Sequence, residues 1–146
     1  MTGKERWKEE PDEQDYPAAL NYLSLVMSEE RAKDAVEMLQ KAEVVRYLAK
    51  DLLRSSRLAL LPPENFHVVK DLKKIAKGRK LSPVLLVAGE VQHDAPLTIA
   101  DGYHRICASY HLTEDAPIPC RIIEFEGRAR TKTNRPVRRG RGEPEK

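Results

Sequence analysis

Aromatic residues are scarce in this chain: two Phe, five Tyr and a single Trp make up 5% of its 146 residues. Packing must therefore rest on aliphatic side chains. The one tryptophan, Trp7, sits among charged residues and is expected outside the core. Cysteine is equally sparse. Cys107 and Cys120 form no C-x-x-C pair and stand at no His/Cys spacing suited to zinc, so both are expected to be small buried hydrophobes, the alternative being a reactive thiol at Cys107. No apolar run approaches the roughly eighteen residues that span a bilayer, and the opening MTGKERWKEE lacks the apolar segment of a secretory signal. A cytoplasmic protein with no membrane contact is expected. The length fits one domain with a modest core.

The net charge of +3 is unevenly spread: Gly127 to Lys146 holds eight Lys or Arg and two acids, a net +6, which leaves the preceding residues at −3. This tail has Val137 as its one large apolar residue and is expected to be disordered, with residues 128–141 suited to sequence-independent contact with DNA or RNA phosphates. Residues 1–16 combine six acids with three bases and read as a flexible acidic arm.

Between these ends the periodicity changes once. Residues 17–57 read as a helical lobe. Leu20, Leu23 and Met27 share one helical face; Ser28, Glu29 and Glu30 look like an N-cap and acidic first turn for a second helix bearing Ala32, Ala35, Val36 and Leu39; Val45, Leu48 and Leu52 suggest a third over 43–55. Residues 58–126 read differently. A helix is expected from His67 to Lys77 with Gly78 at its C-terminal end, then a buried strand in SPVLLVAG. A polar loop leads to a hairpin partner at 97–100, a helix follows over 103–112, and the last strand is expected over about 118–125. The fold class is α+β, a mixed α/β core behind N-terminal helices.

Chemistry concentrates at the turn in IADGYHRICASY. A strand ends at Ile99-Ala100, Asp101-Gly102 turns the chain, and the new helix opens with His104 and Arg105. A helix start favours negative charge, so two donor side chains there stand against the local field unless an anion joins them. Gly102 would let backbone approach a phosphate, Tyr103 and His104 would offer free amides, and Arg105 supplies a planar fork for phosphate oxygens. The plainer alternative is that Asp101 merely caps the helix. Lys70, Lys73 and Lys74 either reach in from the preceding helix or form a solvated face. Tyr103, Ile106, Cys107 and Tyr110 make a core stripe, and His93 and His111 read as surface residues.

The succession LSPVLLV, LTIADGYHR, a short helix and IPCRII resembles the core shared by the ParB amino-terminal domain and sulfiredoxin, over about residues 58–125. The whole chain also resembles a set of bacterial proteins recognised mainly by that core. Sulfiredoxins carry a cysteine directly before His-Arg, where this chain has Tyr103, so sulfinic-acid reduction is not expected. The ParB turn is usually richer in arginine, and the partition protein's further DNA-binding and dimerisation regions have no counterpart here. DGYHR is most similar to the Asp-Gly-His-His-Arg turn of the free serine kinases of this superfamily, matching four of its five positions. That resemblance implies a nucleotide site at Gly102, Tyr103, His104 and Arg105, and catalysis by Asp101 with an upstream carboxylate, for which Glu64, in the loop entering the core, is the candidate. The charge needs of phosphoryl transfer add Mg²⁺ held through Asp101, with Lys70 and Lys73 in support. The implied function is a small-molecule phosphotransferase or NTP hydrolase using ATP, ADP or CTP. The alternatives are a non-catalytic nucleic-acid accessory protein acting through the basic tail, and an adaptor acting through the helices.

Overall fold

In a computed structural model the chain is described from residue 6 to residue 124. The basic tail, and with it residues 128–141, lies outside the described residues. A four-stranded mixed sheet in the order β2-β6-β4-β5 forms the middle layer. Its strands are β2 (Val45–Leu48), β4 (Val84–Val87), β5 (Thr98–Asp101) and β6 (Pro117–Ile123). β6 runs antiparallel to β2 and parallel to β4, while β4 and β5 form the expected antiparallel pair.

Alternation along β4 explains its unbroken apolar sequence. Val84 and Leu86 enter one core with Ile106, Cys107, Ile118 and Cys120, whereas Leu85 and Val87 enter a second with Leu23, Leu39 and Ile123. Both faces of the sheet are thus covered, so all four side chains of this strand are buried and apolar. The first face carries α3 (Ala49–Ser56), α4 (Phe66–Ala76) and α5 (Tyr103–Leu112). The second carries α1 (Asp15–Val26) and α2 (Glu29–Lys41). The architecture is α+β, with helices in layers on both sides of the sheet, and no helix among the described residues is long and apolar enough to cross a membrane.

Two expectations are corrected. The helix expected over 43–55 divides into β2 and α3, because Val45 and Tyr47 are β-branched and aromatic and the free edge of β6 offers them a partner: Tyr47 pairs with Ile118 and Val45 with Cys120. Sheet pairing outweighs the helical spacing of Val45, Leu48 and Leu52. α3 then starts without a side-chain cap, its first amides instead donating from Ala49 to the Ala116 carbonyl at 2.9 Å and from Lys50 to Glu114 at 3.0 Å. The sheet therefore draws strands from both sides of residue 57.

The second correction concerns residues 6–16, part of the expected solvated arm. Arg6–Trp7 forms a short strand, β1, that pairs in parallel with β3 (Lys80–Leu81), and the Lys8 amide donates to the Leu81 carbonyl at 2.8 Å. Trp7 is half-buried against the first core, and Asp15, the first residue of α1, is buried. Charge density concealed one apolar anchor and one buried carboxylate. Because Trp7 is the only tryptophan, its fluorescence reports this docking. Emission is expected to move to longer wavelength on urea unfolding, with the same midpoint as the loss of helical circular dichroism; native emission already at the position of a solvated indole would contradict the docked arm.

Candidate functional site

The turn after β5 is formed as the sequence suggests, but the helix cap is Gly102 rather than Asp101. Gly102 has φ +117°, a conformation that side-chain-bearing residues rarely adopt. A Cβ there would collide with the Val84 side chain and lie 2.8 Å from Arg105 Nη2. The glycine thus makes room for β4 and for the guanidinium, in addition to leaving the start of α5 open. No side chain caps this helix, so its first-turn N–H groups have no partner within the helix.

Asp101 serves Arg105. Its Oδ2 accepts from Arg105 Nη2 at 2.9 Å, while Arg105 Nη1 donates to Ser82 Oγ at 2.8 Å and lies 3.8 Å from Asp15 Oδ2. Ser82 Oγ in turn donates to Asp15 Oδ2 at 2.7 Å, and the Asp12 amide donates to the same oxygen at 3.2 Å. The Arg105 side chain is only 16% exposed. Its charge is therefore met inside the protein by carboxylates from β5 and α1, which answers the conflict with the helix field for this residue. Burial raises the affinity of Asp101 for a proton, and the neighbouring Asp15 carboxyl adds to the rise against the opposing pull of Arg105. Arg105 Nε remains buried without a partner.

His104 has no such internal anion as its main influence. Its imidazole is held below its ordinary pKa first by burial, then by the nearby His67 ring and the Arg105 cation, with Asp71 pulling the other way. The His67 and His104 ring centroids are 4.6 Å apart. α4 supplies His67, Lys70, Asp71 and Lys74, whose i, i+3, i+4, i+7 spacing gives one polar face. The adjoining face buries Val68 and Ile75. These four residues, with Asp101, Gly102, His104 and Arg105, line a single cleft of about 230 Å³. Asn65 fixes where α4 begins by accepting from the amides of His67 and Val68 at 2.9 and 3.2 Å. Asp71 is half-buried, and its carboxyl is pushed up first by burial, against the lowering effect of Arg105, Lys74 and the two histidines.

Of the residues named from sequence, Asp101, Gly102, His104, Arg105, Lys70 and Lys74 meet at the cleft. Glu64 and Lys73 do not line it. Glu64 lies in the exposed turn before the Asn65 cap, and Lys73 is turned off the polar face by the phase of α4. Tyr103 contributes its position at the helix start, but its hydroxyl is directed to the Ala59 carbonyl, away from a phosphate role. Of His67 and Asp71 the sequence carries one signal only, the helical phase that sets them on the face of Lys70 and Lys74. His111 is also corrected: its Nε2 lies 2.7 Å from the Leu61 carbonyl in a partly buried setting. Both cysteines are buried as expected, and burial pushes the Cys107 thiol up, consistent with packing and not reactivity.

Arg105→Met is expected to cost about 3–5 kcal/mol near pH 7, because the buried Asp15 and the partly buried Asp101 lose their cation. Asp101 already binds its proton more tightly folded than unfolded, so it makes stability fall as pH rises from the ordinary carboxylate range through its raised folded value. Loss of Arg105 steepens that fall, and the variant's deficit should shrink toward about pH 4. Urea denaturation at the two pH values measures it; an unchanged midpoint near pH 7 would contradict the junction.

Comparison of the chain with family models, with curated proteins and with solved structures finds no match in any of the three.

Proposed function

We propose that this cleft binds the phosphates of a nucleotide and that the protein is a small-molecule phosphotransferase or NTP hydrolase, in keeping with the resemblance of DGYHR to the nucleotide turn of the ParB/sulfiredoxin-like fold. One observation carries the reading: His67, Lys70 and Lys74 from α4 converge with His104 on the uncapped start of α5. Amides, imidazoles and ammonium groups from two helices then face one small volume, an arrangement suited to several phosphate oxygens. Arg105 is the anchor of this arrangement. Its ties to Asp101, Ser82 and Asp15 hold the helix start against the sheet.

A resident metal does not fit the donor set. Among the described residues no group of three or more His, Cys, Asp and Glu is arranged to hold an ion, and the Asp101 carboxylate expected to meet Mg²⁺ is engaged by Arg105. Any cation in the reaction would be the one that its phosphate substrate carries. Transfer requires an acceptor hydroxyl, or water, to lose its proton as its oxygen bonds to phosphorus. The bridging oxygen then departs with the electron pair of the bond that breaks. Asp71, in the cleft and with raised proton affinity, takes the proton in place of Glu64, while Lys70 and Lys74 balance the charge of the departing phosphate.

Calorimetric titration with Mg²⁺ and ATP, ADP or CTP tests the reading. Replacing both Lys70 and Lys74 with Ala should weaken binding about tenfold or more, consistent with the loss of two charge-assisted contacts. Asp71→Asn should bind but not turn over. An anion favours imidazolium, so binding should draw a proton onto His104, whose free-state pKa is held below the ordinary histidine value by burial; affinity should therefore rise as pH falls through the histidine range. No heat from the wild type at millimolar nucleotide would remove the proposal.

A further inference from the structure

Phe66 is 69% exposed and belongs to neither core cluster nor to the partly buried residues packed on them. Its ring contacts are local, with His67 and Lys70 of the same helix. As the first residue of α4 it follows the Asn65 cap, so a polar residue would serve the helix start as well. It stands at the edge of the cleft: Phe66 does not line it, but its neighbours His67 and Lys70 do. Its ring centroid is 5.3 Å from that of His67 in an edge-to-face arrangement, His67 is 4.6 Å from His104, and His104 is 5.6 Å from Tyr103. Lys70, one turn along α4, places its Nζ 5.4 Å from the Phe66 centroid while also lining the cleft. A row of rings thus leads from the open start of α5 to an exposed aromatic surface, with one lysine shared between the two.

The geometry points to Phe66 as the stacking platform for the base of a nucleoside phosphate whose phosphates occupy the α4–α5 cleft. The inference rests on the phosphate reading of that cleft and adds what inorganic phosphate would not need, a flat apolar surface beside the charged one. Stacking on a single aromatic ring tolerates any base, so the platform selects nucleosides over bare polyphosphates without choosing among bases. Lys70 contributes to both halves: its cation lies over the ring, and the same group faces the phosphate site. The ligand matched by this surface has a polyanionic end and a planar end a few ångströms apart.

The test compares ATP with inorganic tripolyphosphate on the full chain, for the wild type, Phe66→Ala and Phe66→Trp. Phe66→Ala should weaken ATP by about 5- to 100-fold, the range expected for one lost stacking partner, and leave tripolyphosphate within about twofold, the scatter of context effects on a contact that the ring does not make. Phe66→Trp should keep ATP affinity and show quenching of the new indole by ATP but not by tripolyphosphate. Because the ring is exposed, both variants should melt as the wild type does, which separates a binding defect from a folding one. Equal ATP affinity in wild type and Phe66→Ala, with tripolyphosphate still competing, would overturn the platform and leave the cleft intact. If neither ligand binds the wild type, the phosphate reading fails and the platform falls with it. A Phe66→Ala defect confined to single-stranded oligonucleotides would assign the ring to nucleic acid and overturn the inference.

Discussion

Arg105 joins three parts of the chain that lie far apart in sequence. Its guanidinium binds Asp101 at the end of β5, Ser82 just before β4 and, more distantly, Asp15 at the start of α1. Those contacts tie the α1–α2 layer to the strand that launches α5, across the edge of the sheet. Buried charge of this kind costs solvation that the pairing must repay, and here one cation faces two carboxyls with a serine between them. The consequence for the cleft is geometric. With Arg105 fixed and Gly102 in its left-handed conformation, α5 begins where the polar face of α4 can meet it.

The same network changes the meaning of the His-Arg pair. On sequence grounds two basic side chains at a helix start call for an anion, and Asp101 and Asp15 meet the charge of Arg105 from within. What remains for a ligand is the uncapped first turn of α5, His104 with its lowered proton affinity, and the lysines of α4. α4 has a double use: Val68 and Ile75 bind it to the core, and residues 67, 70, 71 and 74 form one wall of the cleft. Burial pushes His104 and Asp71 each toward its uncharged form. A polyanion entering this space would reverse the preference of the imidazole and raise the proton affinity of Asp71 further.

Much of the fold was legible where local chemistry and packing agree. Asp-Gly marked the boundary of β5 and α5, Ser28 marked the start of α2, and the unbroken VLLV run of β4 announced a strand covered on both faces. It was illegible where a distant partner decides. Val45 to Leu48 carries helical spacing and strand-forming residues together, and only the edge of β6 resolves the competition. Asp15 reads as one more acid in a charged arm, and nothing within the arm says that Ser82 and Arg105 wait for it 67 and 90 residues downstream. The site followed the same division. Positions 101 to 105 are contiguous and could be read, but Lys74 and Lys73 are distinguished only by helical phase, and Glu64 is separated from the cleft by the Asn65 cap.

The claim on which the functional account depends is that a phosphate chain sits against the start of α5. Amide and imidazole resonances followed by NMR during titration with inorganic pyrophosphate test it most directly. The account predicts the largest shifts at the Tyr103 and His104 amides and at the His67 and His104 rings, with the resonances of the Arg105 guanidinium and of α1 almost unmoved. Shifts absent from α5, or concentrated at Arg105 and Asp15 as their ion pair opens, would contradict it.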